Sequence, residues 1–116
     1  LGASSQITTA GGNVVVQAAN GGITQSAGGV INVGAGGLGV AARDSATFSG
    51  TNTVTTLGVN LTGSGASLNY TNTGPLIIGT VTTIGGLTTS NGHVTVSASG
   101  GLTVNHGVVS GSGTVL

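Results

Sequence analysis

Gly34-Ala35-Gly36-Gly37-Leu38-Gly39 matches the G-x-G-x-x-G pattern that cradles a dinucleotide pyrophosphate. That chemistry needs a strand before the glycines, a helix after them and an acid about 20 residues on. No helical periodicity follows, and no Asp or Glu occurs after Asp44. The glycines therefore read as a corner. His93 and His106 are the side chains suited to proton transfer or metal ligation. A metal site usually takes three or four ligands and a general base needs a partner, whereas Asp44 is the only acid. Glycoside hydrolysis by paired carboxylates is excluded on the same count. Arg43 and Asp44 are adjacent, and neighbours on a strand point to opposite faces, so the pair fits a turn. The expectation is a chain that is not an enzyme and holds no metal or cofactor.

Two N-x-[ST] sequons stand at Asn60-Leu61-Thr62 and Asn69-Tyr70-Thr71, making Asn60 and Asn69 candidate glycosylation sites. Asn13, Asn32, Asn52, Asn72 and Asn91 recur at nearly even spacing. Asn side chains stacked from rung to rung can bond to one another, so these five are candidates for a structural Asn ladder. Thr51–Thr56 and Thr80–Thr83 are Thr-rich, and a regular hydroxyl face could bind ice or a glycan. Their irregular spacing argues against such a face.

The elements that would carry these residues follow from composition and period. Charged residues make up 2% of the 116 residues, against roughly 25% in ordinary soluble domains. A single Arg cannot neutralise a phosphate backbone, so nucleic acid is not an expected partner. Every apolar run is interrupted well short of about 18 residues, so no membrane-spanning helix is expected. Lys, Glu and Met, three of the residues that usually build helices, are absent. Apolar residues alternate in short bursts, as in Val14-Val16-Ala18, Leu38-Val40-Ala42, Leu68-Tyr70, Leu76-Ile78, Val94-Val96 and Leu102-Val104. That period marks half-buried strands. Gly-rich breaks such as Gly11-Gly12, Gly36-Gly37 and Gly100-Gly101 separate them as corners.

The two ends of the chain match each other. Gly12–Ala18 aligns with Gly92–Ala98, and Gly21–Thr24 aligns with Gly100–Thr103 when one position is skipped. Self-similarity of this kind marks repeat architectures. The chain is expected to be all-β, a single parallel β-solenoid segment over residues 1–116, within a longer array whose repeat is about 80 residues. Rungs of about 20 residues would give five or six rungs, a rod of roughly 25–30 Å. Phe48 and Tyr70 are expected in the core, stacked on aliphatic neighbours. No cap is legible near either end, so end-to-end stacking with further repeats or subunits is expected.

The run Gly12–Ile31, with Leu38–Ala42, Asn52–Leu57, Pro75–Val81 and Asn91–Ala98, resembles the repeats of filamentous haemagglutinin-like exoproteins, the two-partner secretion adhesins of Gram-negative bacteria. The resemblance covers nearly the whole chain. It implies a right-handed parallel β-helix and export through an outer-membrane transporter partner. It also implies a secreted or cell-surface location and a role in adhesion or biofilm, with host-surface or glycan receptors as partners. The absence of Cys suits export of an unfolded chain. The alternative reading is a subunit of a self-stacking extracellular filament or sheath.

Overall fold

The computed structural model describes residues 1–116, and it is all-β, a parallel β-solenoid of about four turns. The first wrap comprises β1 (Gln6–Thr8), β2 (Val14–Ala18) and β3 (Ile23–Gln25). The second comprises β4 (Val30–Asn32), β5 (Gly37–Ala42) and β6 (Ala46–Phe48). The third comprises β7 (Thr51–Thr53), β8 (Thr56–Ser64) and β9 (Leu68–Asn72). In the fourth, β10 (Leu76–Ile78) and β13 (Leu87–Ser90) flank a hairpin of β11 (Thr80–Val81) and β12 (Ile84–Gly85), and β14 (Val94–Ala98) follows. β15 (Leu102–Val104) and β16 (Val108–Val109) begin the next wrap.

Three faces result. β1, β4 and β7 stack as the first face. β2, β5 and β8 stack as the second, continued by β10 and β13 and then by β15 and β16. β3, β6, β9 and β14 stack as the third. All of these pairings are parallel and in register, with one shift on the second face between Thr88 and Ser90. The antiparallel β11–β12 hairpin is the exception.

Alternation decides what each face buries. Leu38, Val40, Leu57, Val59, Leu68, Leu76 and Ile78 point inward and are fully shielded. Each inward residue sits over another, as in Val16 under Val40 under Val59. A rung cannot bury its apolar side alone, so the core exists only as a stack. Phe48 and Tyr70 are buried as expected, but against each other: they pair in register as an edge-to-face contact. Leu102 and Val104 continue the columns of Leu76 and Ile78, yet remain 46% and 54% exposed because no further rung covers them. Val96 is half-buried for a similar reason; only Thr114–Leu116 lies beyond β14.

Two expectations are corrected. Rungs are longer than expected, about 24 residues apart, so there are fewer of them. Individual steps are uneven, the shortest running from Leu38 to Leu57 and the longest from Val59 to Leu87. The longest step contains the hairpin. The similarity between the two ends of the chain also does not mark equivalent positions. Val14–Ala18 forms β2 on the second face, whereas Val94–Ala98 forms β14 on the third. Uneven wraps shift the register, and the shared pattern is what any half-buried strand requires.

The hairpin folds back over the outside of the second face. Val81 and Ile84 are buried there, over Gly37, Gly39 and Gly58. A Cβ on Gly37 would lie 2.6 Å from Val81 Cγ2, and one on Gly58 would lie 2.4 Å from the Ile84 carbonyl oxygen. The glycines of this strand pair are there for close approach.

Candidate functional site

The residues that could do chemistry are dispersed by the solenoid. Gly34–Gly36 forms the corner leading into β5, and Gly37–Gly39 is strand. No helix follows, so no helix N-terminus faces a phosphate. Arg43 and Asp44 bend at the end of β5, with Nε 3.8 Å from Oδ1 and both side chains more than half exposed. Such an exposed pair contributes little to stability. His93 lies at the corner before β14, where its Nδ1 accepts from the Thr114 N–H at 3.0 Å. His106 lies in the turn after β15, where its Nδ1 accepts from the Gly107 N–H at 3.1 Å. No three His, Cys, Asp or Glu side chains converge on a point that could hold a metal ion.

The five asparagines do not form a ladder. Asn13 and Asn91 at corners and Asn32 at the end of β4 are exposed and accept from the backbone N–H groups of Gly37, Ser112 and Gly34 respectively. Asn91 adopts a left-handed φ of 62°, which Asn tolerates better than most residues. Only Asn52 and Asn72 turn inward. Their partners are a residue the spacing did not single out, Gln25, and the core tyrosine. Gln25 and Asn52 bond in both directions. Asn52 Nδ2 also donates to the Thr71 carbonyl, and Gln25 Oε1 also accepts from Gly50 N–H. Asn72 Oδ1 accepts from Val54 N–H and from the Tyr70 hydroxyl. Its Nδ2 donates to the carbonyls of Val54, Thr73 and Pro75. A buried amide column therefore runs up the corner between the third and first faces, with every buried polar side-chain atom satisfied. Burial pushes the Tyr70 phenol pKa well above its ordinary value.

Asn60 and Asn69 both lie mid-strand with exposed, outward side chains. Asn60 lines a groove of about 260 Å³ on the second face, with Gln17, Ala41, Arg43 and Thr62. The groove offers one guanidinium and neutral groups, and no acid or base opposes another across it.

The third face has an order that the Thr-rich runs of the sequence do not reveal. Outward positions alternate with the inner column of Gln25, Phe48, Tyr70 and Val96. On one side stand Thr24, Thr47, Asn69 and Thr95, in register. On the other, Thr71 and Ser97 pair in register, and Ser26 and Ser49 are the residues that directly follow β3 and β6. The signal is T-Q-S, T-F-S, N-Y-T and T-V-S, one per rung. Unequal wraps hid it, because the steps from Thr24 to Thr47, from Thr47 to Asn69 and from Asn69 to Thr95 all differ in length. None of these eight side chains bonds within the chain, whereas the hydroxyls of Thr9, Thr55, Thr89 and Ser110 are committed to backbone carbonyls. Of the Thr-rich segments, Thr51–Thr53 lies on the first face and Thr80–Thr83 lies in the hairpin.

Comparison with family models, curated proteins and solved structures found no match.

Proposed function

We propose that this chain is a structural and adhesive stalk segment of a large secreted bacterial surface protein, acting in cell adhesion or biofilm. One observation carries the reading: parallel rung-to-rung pairing runs the whole length of the chain. The Leu1 amine donates to the Thr24 carbonyl, and Ser26 N–H donates back to Leu1. On the far side Leu116 N–H donates to Val94, and Val96 N–H to Leu116. Such a rod works mechanically. Force along it is shared by ladder hydrogen bonds and stacked apolar columns, and its exterior is neutral and polar. The lack of Cys and the resemblance to filamentous haemagglutinin-like repeats favour export through an outer-membrane transporter partner. Host-surface or glycan receptors are the partners such a stalk would present itself to.

A second reading, a subunit stacking end to end into a filament or sheath, is favoured by the uncovered Leu102 and Val104. Antibodies against this chain distinguish the two. Labelling of intact cells, lost on brief external proteolysis, with a denatured polypeptide many times 10.7 kDa supports the stalk. A surface polypeptide near 10.7 kDa gives the filament the lead. Labelling only after lysis overturns both.

A further inference from the structure

We propose that the outer side of the third face is an ice-binding surface. Three independent features of that face lead there. It is regular: β3, β6, β9 and β14 pair in register with no bulge, unlike the second face with its shift and overlying hairpin. Its two outward columns are built of hydroxyl and amide groups that bond to nothing within the chain, and no ionisable side chain interrupts them. Its polar groups also form a grid. Rungs repeat at about 4.8 Å, and positions two apart on a strand at about 7 Å. Oxygen atoms on prism planes of ice repeat at spacings close to these two.

The occupant follows from chemistry. A neutral lattice of fixed donors and acceptors matches a neutral grid of side chains that both donate and accept. Thr47 and Thr95 are stiff at χ1, so little rotamer freedom is lost on contact, and their methyl groups add apolar area. A soluble anion or a nucleic acid would require charge that the face lacks. A crystalline polysaccharide is the nearest competitor, since it too is neutral and periodic. Sugar rings are commonly held against aromatic side chains, and both aromatic rings of this chain are buried on the opposite side of the strands. Asn69 belongs to the grid and to a sequon, so a sugar on Asn69 would cover the surface.

The test uses the full chain and ice itself. Ice grown slowly from a dilute solution should incorporate the protein, and crystals held just below melting should show facets and a gap between melting and growth. Thr71→Lys, an exposed change in the middle of the grid, should exclude the protein from ice and close the gap while far-UV circular dichroism stays unchanged. Thr53→Lys, on the first face, should leave both as they were. Ser49→Lys repeats the test at another rung, so that misfolding of one variant does not leave the outcome open. Exclusion of the unmodified chain from ice overturns the proposal, as does normal ice uptake by folded Thr71→Lys and Ser49→Lys. Retention on cellulose or chitin without ice uptake overturns it too and gives the face to polysaccharide.

Discussion

Gln25, at the end of β3, and Asn52, in β7, exchange amide hydrogen bonds inside the solenoid: Nε2 to Oδ1 at 2.8 Å and Nδ2 to Oε1 at 3.0 Å. Both are essentially inaccessible to water. Removing one partner strands the other, and a buried unsatisfied amide costs about 1–3 kcal/mol. Asn52→Ala should therefore lower the unfolding free energy by at least that much, since Thr71 also loses a donor. Gln25→Leu with Asn52→Leu removes both needs at once and should cost less than the two single changes added together. A double-mutant cycle by urea unfolding measures the coupling, and strict additivity would show that the pair is not formed.

Tyr70 gives the fold a dependence on alkaline pH. Its phenol is desolvated and donates to Asn72 Oδ1 at 2.8 Å, so the folded pKa lies above the unfolded value of 10.0. A raised pKa means that the folded chain holds the proton more tightly. The associated stability is fully present below pH 10.0 and is lost as pH rises beyond it. Melting temperature should fall above about pH 10, and tyrosinate absorbance should rise only as the chain unfolds. The chain has one Tyr, so the absorbance reports a single site. Tyr70→Phe should remove this alkaline fall, at a cost near neutral pH of about 0.5–1.5 kcal/mol for the lost hydrogen bond.

The strands and their inward faces were legible because period-two alternation is local: Leu38-Val40-Ala42 and Leu68-Tyr70 are buried as their spacing implies. Register was not legible, because it depends on how much chain each corner consumes. Asn spacing suggested a ladder, but a one-residue change in corner length turns a side chain from inside to outside. Asn32 faces solvent while Asn52 faces the core. Gln25 was missed because a polar residue between Thr24 and Ser26 looks exposed until its rung is placed under Phe48. The hydroxyl grid was hidden for the same reason: its motif is regular in space and irregular in sequence.

The hairpin carries a strained residue. Thr82, first of the two residues between β11 and β12, has a φ of 57°, a left-handed conformation unfavourable for a β-branched side chain. Two-residue hairpin turns with positive φ at their first position favour Gly there. Thr82→Gly should stabilise the chain by about 0.5–1 kcal/mol, the strain relieved exceeding the added backbone entropy. Gly58→Ala should act in the opposite sense, because its Cβ meets the Ile84 carbonyl oxygen and forces the hairpin off the second face. Overpacking of this sort costs about 1–3 kcal/mol. Limited proteolysis should cut first within Thr80–Gly85 in Gly58→Ala and more slowly there in Thr82→Gly.

Ile78 and Val104 occupy one inward column, one covered and one open. Ile78 pairs below with Leu57 and above with Val104, and is fully buried. Val104 has Ile78 beneath it and solvent above, and is 54% exposed. Removing methyl groups from a packed site leaves a cavity, so Ile78→Ala should cost about 2–5 kcal/mol. Val104→Ala leaves no cavity and should fall within about 0.5 kcal/mol of the parent. Urea unfolding of the two variants reads the difference directly. Equal losses would mean that Val104 is covered in solution by a further rung or a second copy. A concentration-dependent midpoint for the parent chain would then identify that cover as a second copy.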